Sequence, residues 1–341
     1  MRHPLLPLCT LTVTALLATG CSSGASPAGE GRQAAVPPAS ASPAAVKNPA
    51  ELARLGVNEL GQVPVLMYHQ LTEKPAGVYD RTPADFRAEL ERLAREKYVP
   101  VTARDFQEGR IGTPAGTHPV VLTFDDSTNS QVRLGTNGTP APGTAVAILM
   151  EVAKKYPAFK PTATFFVNAD AFSATGPAKA LTWLKEHGYE IGNHTDRHQN
   201  LRSLDPAGAA GAISGGQQAI LKAAPGAKVS SLALPFGAMP RTAGVAAKGP
   251  GYRYDGVYLV GSNPALSPFA QEFAPDAIPR IRSAGPKDED AELGSSRWLD
   301  RMAAQKSWYV SDGDPATVSF PRTAQGKVAP AFAGRARPYQ P

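Results

Sequence analysis

Cysteine is almost missing from this chain. The 341 residues hold two, Cys9 and Cys21, both near the N-terminus. The rest can form neither a disulfide framework nor a thiolate metal site, so any bound metal must be held by imidazole and carboxylate. Runs of basic residues are missing too. The formal charge is +6, but the lysines and arginines are scattered. That argues against nucleic-acid binding and leaves a mild attraction to anionic cell-surface polymers. No internal repeat is present. The apolar stretch Leu5 to Leu17 is too short for an ordinary membrane span. Histidine is scarce as well, with six in the chain and none after His198, so the few that fall close together carry weight.

What is present begins with an export signal. Arg2 and His3 precede the apolar stretch and small residues follow it, which sets residues 1–20 apart as a signal peptide. The segment Leu17-Ala18-Thr19-Gly20-Cys21-Ser22-Ser23 resembles a bacterial lipobox. That resemblance implies lipidation at Cys21 and an exported, membrane-anchored protein facing outside; plain secretion is the alternative. Residues 21–60 follow as a flexible tether rich in Ala, Ser, Pro and Gly. A single domain is expected over 61–323, with a loose Pro/Gly/Ala-rich tail at 324–341.

Within the domain, apolar runs alternate with helical patterns. Strands are predicted at Val63–Tyr68, Val120–Phe124, Thr162–Val167, Tyr189–Ile191, Ser231–Phe236 and Gly256–Val260. Helices are predicted over 143–156, 179–187 and from Asp205-Pro206 to about Ala223. Another starts at Thr82, with Pro83 at its first position and an apolar face of Phe86, Leu90, Leu93 and Tyr98. This alternation predicts an α/β fold with a mainly parallel sheet. With 32 Gly and 33 Pro, its loops should be long.

The chemically suggestive residues sit just past strand ends, where parallel α/β folds gather their sites. These are His69, the pair Asp125-Asp126, the pair His194 and His198, and Pro235-Phe236-Gly237. Strand geometry would turn Asp125 and Asp126 to opposite sides, one toward a metal and one toward substrate. His194 and His198 stand four apart, and a helical turn would put both imidazoles on one face. Two His and one carboxylate leave a metal position open and a second carboxylate free for proton transfer, the inventory of a metal-assisted hydrolase. The bland readings are a loop start for Asp-Asp and two surface histidines. His118 reads as a loop residue and His187 as a helix-end residue suited to the dipole. Trp183 fits a helix core, while Trp298 and Trp308 could be core or could stack on sugar.

Taken with their flanks, these strings resemble the polysaccharide deacetylases, carbohydrate esterase family 4, with the NodB homology domain. Thr123-Phe124-Asp125-Asp126 is similar to the family's first motif and His194-Thr195-Asp196-Arg197-His198 to its second. Ala163-Thr164-Phe165-Phe166-Val167 and the approach Gly188 to Asn193 match the intervening strands, and the likeness covers about 63–285. It implies an irregular (β/α) barrel of the NodB type. It also implies a divalent metal, usually Zn2+, on Asp126, His194 and His198, with Asp125 as general base. The activity would be removal of acetyl groups from N-acetylated, less readily O-acetylated, polysaccharide, with Pro235, Phe236 and Gly237 beside the substrate and a backbone N–H near Phe236 facing the oxyanion.

Two departures from the family pattern follow. Ala233 stands where the third motif has an arginine that orients the catalytic aspartate, and Arg280 or Arg282 is expected to supply the cation. The C-terminal motif histidine is missing. Val65-Leu66-Met67-Tyr68-His69 resembles the N-terminal strand of exported poly-N-acetylglucosamine deacetylases, which implies His69 as the acid. The rival readings are a non-catalytic glycan-binding lipoprotein on a degenerate deacetylase fold and a metal hydrolase acting on a non-carbohydrate amide or ester.

Overall fold

The structure, a computed structural model, describes residues 45–341. The signal segment, Cys21 and the tether up to residue 44 lie outside the described residues. Strands and helices alternate as the patterning predicts: α1 (Pro49–Leu55), β1 (Val65–Tyr68), α2 (Pro83–Arg95), β2 (Tyr98–Val101), α3 (Ala103–Gln107), β3 (His118–Phe124), α4 (Ala145–Lys155), β4 (Thr164–Val167), α5 (Pro177–Glu186), β5 (Glu190–Asn193), α6 (Pro206–Ala223) and β6 (Ser231–Ala233). Short pieces follow: β7 (Lys248–Gly249), β8 (Tyr252–Arg253), β9 (Gly256–Tyr258), β10 (Ile281–Arg282), α7 (Ser295–Gln305), β11 (Val318–Pro321) and β12 (Ala336–Tyr339).

The main sheet has eight strands in the order β10-β1-β3-β4-β5-β6-β9, with β2 pairing the first half of β3. Every ladder in it is parallel. The sheet curls into half a barrel, the α/β architecture the sequence led us to expect. Its two ends approach each other through isolated bridges, Tyr258 with Ile278 and Ser262 with Ile281.

Side chains alternate between two cores. Leu66, Tyr68, Leu122, Phe124, Phe165 and Val167 face α2, α4 and α5, whereas Val65, Val121 and Phe166 face the barrel interior with Phe106, Tyr258 and Phe269. Both faces are buried, so the strands read as continuous apolar runs rather than alternating ones. The period of two puts Thr123 and Asp125 on the interior face with Val121.

Helix starts follow their caps. The Thr82 hydroxyl accepts from the Asp85 N–H at 3.0 Å, and the Asp205 carboxylate accepts from the Gly208 N–H at 2.6 Å, each with Pro at the first helical position. Tyr98 departs from its expected place on the α2 face: the helix ends at Arg95, Lys97 takes a positive φ, and Tyr98 opens β2. His118 is the first residue of β3 rather than a loop residue. Its Nδ1 lies 2.7 Å from the Tyr309 carbonyl and its ring stacks on Trp308. Trp308 therefore packs in the body of the fold, and the Trp298 indole N–H donates to the Ser262 carbonyl at 2.6 Å.

The expected tether and tail are corrected where they are described. Residues 45–60 carry α1 and bury Leu52 and Val57, and 324–341 carry β12, which pairs in parallel with β11. The two ends clasp each other, since the Tyr339 hydroxyl donates to the Val57 carbonyl at 2.7 Å. Small residues and prolines lower helix content, but they do not prevent packing once a few large apolar groups are supplied.

Candidate active site

The strand ends deliver the expected residues to one edge of the half-barrel. His69 follows β1, Asp125 and Asp126 follow β3, His194 follows β5, and Pro235 follows β6. The loops that present them are conformationally costly. Five of the nine non-glycine residues with positive φ among the described residues lie here: Asp126 (70°), Ser127 (50°), Thr195 (66°), His198 (54°) and Phe236 (59°). Each costs roughly 1–3 kcal/mol and persists only because its surroundings enforce it, and such strain clusters at functional sites.

This backbone corrects two expectations about direction. His194 and His198 do not share a helical face. They lie on an irregular turn whose left-handed residues, Thr195 and His198, swing the two rings to 5.0 Å between centroids. Asp125 and Asp126 do not diverge either. The ladder extends to Asp125, whose N–H donates to the Tyr68 carbonyl at 2.9 Å, but Asp126 turns left-handed. Both carboxylates therefore approach one imidazole: His194 Nε2 is 3.9 Å from Asp125 Oδ2 and 3.4 Å from Asp126 Oδ1.

Asp126, His194 and His198 offer three donor atoms within 4.8 Å of one another. His198 Nε2 lies 3.4 Å from Asp126 Oδ1. The Nδ1–H of His194 donates to the Ala233 carbonyl at 2.8 Å, which fixes the tautomer and leaves Nε2 as an acceptor. Nε2 of His194 and Oδ1 of Asp126 are both buried with no hydrogen-bond partner. Two orphaned acceptors facing each other are unfavourable unless a cation lies between them. Two imidazole nitrogens with one carboxylate oxygen suit a divalent metal of the zinc type, so the residues present fit such an ion.

Asp125 is held differently. Arg280 donates from Nη1 to Oδ1 at 2.7 Å and from Nη2 to Oδ2 at 2.6 Å, a two-pronged clamp. The same guanidinium donates to the Thr123 hydroxyl at 3.1 Å and to the Leu259 carbonyl at 2.8 Å. Both partners are enclosed, Arg280 at 0% and Asp125 at 1% exposure. Burial alone would raise the Asp125 pKa. The positive charge of Arg280, with help from His194 and His69, overrides it and holds the carboxyl well below the usual range. Of the two arginines considered from sequence, Arg280 makes this contact. Arg282 points away and donates to the Val78 and Glu289 carbonyls.

His69 completes the group, with Nε2 4.0 Å from Asp125 Oδ2. Burial lowers its pKa, partly offset by Asp125 and Asp126. Phe236 lies across the site with 64% exposure, its ring edge-on to His198 at 4.5 Å. The turn's backbone bonds run from Gly237 N–H to the Leu234 carbonyl and from Ala238 N–H to the Pro235 carbonyl.

Several supporting residues give no sequence signal of their own. The Gln131 amide, fully buried, donates to the carbonyls of both His69 and Asp125 and so ties two site loops together. Asn168 donates to the His194 carbonyl at 2.8 Å, and the Asn193 side chain accepts from the Thr195 N–H at 2.9 Å. Gly216 lets α6 press against this loop, since a Cβ there would lie 2.3 Å from Asn193 Oδ1 and 2.7 Å from the Thr195 carbonyl carbon. Its position inside a helix, normally a cost of about 1 kcal/mol against Ala, has its reason in that contact.

Comparison with known proteins agrees with the site. Residues 112–254 match the family model described as "Polysaccharide deacetylase". The matched segment contains Asp125, Asp126, His194, His198 and Pro235–Gly237, while His69 and Arg280 lie outside it. No curated protein matches the sequence. Among solved structures, the chain is similar to the Streptococcus pyogenes deacetylase PplD in complex with acetate, at 21% identity and a TM-score of 0.54, over 71% of this chain and 98% of that one. IcaB from Ammonifex degensii is 20% identical over 66% of this chain and 92% of that one, with a TM-score of 0.46. The likeness to PplD establishes the fold, an α/β half-barrel with a parallel sheet.

Proposed function

We propose that the protein is a metal-dependent deacetylase that hydrolyses acetamido groups on an N-acetylated polysaccharide outside the cell. The observation that carries this reading is the adjacency of two differently built carboxylates. Asp126 joins His194 and His198 around two orphaned acceptors, and Asp125 is clamped by Arg280 within 4.0 Å of His69. Asp126, His194 and His198 would hold the metal, which when bound polarises the acetamide carbonyl and acidifies a water.

The remaining roles fall to the chain's own groups. Asp125, kept ionised by Arg280, accepts the proton of the attacking water. His69, 4.0 Å from the same carboxylate, donates a proton in its imidazolium form to the departing amine. A backbone N–H at Phe236 is suited to the developing oxyanion. That Asp125 still has a clamping arginine, Arg280, and a nearby histidine, His69, although the motif arginine and C-terminal histidine are missing, supports catalysis over a purely glycan-binding role. The N-terminal signal and Cys21 support an exported, lipid-anchored protein. Acetate release from peptidoglycan, poly-N-acetylglucosamine, chitin oligomers and acetylated xylan, with and without chelator, tests the reading. Chelator-sensitive release from the N-acetylated polymers is expected, and no release from any of them would refute it. Lipidation is tested separately by radiolabelled fatty-acid incorporation, expected in the full chain and lost in Cys21→Ala.

A further inference from the structure

Of the aromatic side chains in the described residues, two are exposed, Tyr79 at 42% and Phe236 at 64%. Both rest on site histidines. Phe236 meets His198, and the Tyr79 ring lies 4.7 Å from the His69 ring at a 51° tilt. Large aromatics are normally buried, so exposing one on each flank of a polar site calls for a ligand with an apolar face and polar edges. A pyranose ring is such a ligand, with its axial C–H groups on one face and hydroxyl and acetamido groups around the rim.

The loop carrying Tyr79 is built to hold its shape. It is closed by the Thr72 N–H donating to the Arg81 carbonyl at 2.9 Å and the Arg81 N–H donating to the Gln70 carbonyl at 3.0 Å. The Asp80 carboxylate accepts from the Ala76 N–H at 2.8 Å and the Gly77 N–H at 3.3 Å. From the neighbouring strand end, Arg282 donates to the carbonyl of Val78, the residue just before the tyrosine, and to the Glu289 carbonyl at 2.7 Å, while Arg81 pairs with Asp288. A wall held this way loses little entropy when a ligand packs on it.

We propose that Tyr79 forms the wall of a sugar subsite on the His69 side, stacking on the pyranose ring whose acetamide is hydrolysed, and that Arg282 is the positioning residue that holds it there. This rests on the glycan-deacetylase reading above. Stacking acts on ground state and transition state alike, so its loss appears in KM rather than in kcat. The ring, not the hydroxyl, does the work.

The test measures KM and kcat of the metal-loaded protein on an N-acetylglucosamine tetramer, and calorimetric binding of the same tetramer to metal-free protein. For Tyr79→Ala we expect KM to rise and affinity to fall about tenfold, with kcat changed by less than about twofold. Tyr79→Phe should behave as the unaltered protein, and Arg282→Ala should fall between. Equal KM and equal binding for Tyr79→Ala, a Tyr79→Phe as impaired as Tyr79→Ala, or no tetramer binding by the unaltered protein would each overturn the proposal. Failure of the deacetylase reading looks different: the tetramer binds through Tyr79 but no acetate is released.

Discussion

Replacing Arg280 with alanine strikes the most heavily bonded contact in the site. The guanidinium makes four hydrogen bonds, two of them to Asp125, and neither partner meets solvent. Removing it leaves a carboxylate buried without a counter-charge, which costs roughly 3–5 kcal/mol in comparable sites. For a domain of this size that is a fall in Tm on the order of 5–8 °C. Asp125 would also lose the charge that outweighs burial, so its pKa should climb and the acid limb of the activity profile should move to higher pH. Arg280→Lys keeps the charge without the two-pronged geometry and should recover part of both losses. A double variant, Arg280→Met with Asp125→Leu, should regain much of the stability while remaining inactive, because an apolar pair replaces a buried ion pair. Thermal melts with acetate release measured from acid to neutral pH read both quantities. An Arg280→Ala protein with unchanged Tm and an unchanged acid limb would refute this reasoning.

Other consequences follow from the same geometry. His69→Ala should keep metal content and fold but lose about 10²–10⁴-fold in turnover, since the group proposed as the acid is removed; mass spectrometry for metal and acetate release check it. Gly216→Ala should push the Asn193–Thr195 segment off α6 and weaken zinc affinity, measured by competition with a chromogenic chelator, whereas Gly211→Ala, with nothing near its Cβ, should not. Far from the site, burial and then the Asp312 charge push the Glu59 carboxyl up to about 8 from 4.5. The unfolded chain releases that proton from pH 4.5 upward while the fold retains it to about 8, so stability contributed by Glu59 is lost across that window as pH rises. Tm should fall between these values, and Glu59→Gln should flatten the slope.

The strands and most helix starts were legible because local chemistry decides them. Continuous apolar runs bounded by turns give β3 and β4, and Thr82-Pro83 and Asp205-Pro206 give two helix starts at the residue. The candidate ligand residues were legible as residue types and spacing. Their convergence was not, because it depends on left-handed backbone at Asp126, Thr195 and His198, which no periodicity encodes. Arg280 could be proposed only as one of two arginines on either side of Ile281. The two flank Ile281 and share a strand face, so which of them reaches the depth of Asp125 depends on the pairing of Leu66 with Ile281 and Met67 with Arg282, a long-range register. Gln131 and Gly216 looked like ordinary loop and helix residues, since their roles exist only where distant segments meet. Composition misled at the chain's end, where a Pro- and Ala-rich stretch forms β12 because Tyr339 finds Val57.

The central claim is that Asp126, His194 and His198 hold a metal that Asp125 and His69 use to remove acetyl groups. The most direct measurement is acetate release from an N-acetylglucosamine tetramer by three preparations: metal-loaded protein, protein stripped by chelator, and stripped protein given back zinc. The account predicts release, loss and recovery in that order, with one metal ion per chain that disappears in His194→Ala. Release that survives stripping, or one ion bound equally well by His194→Ala, would contradict it.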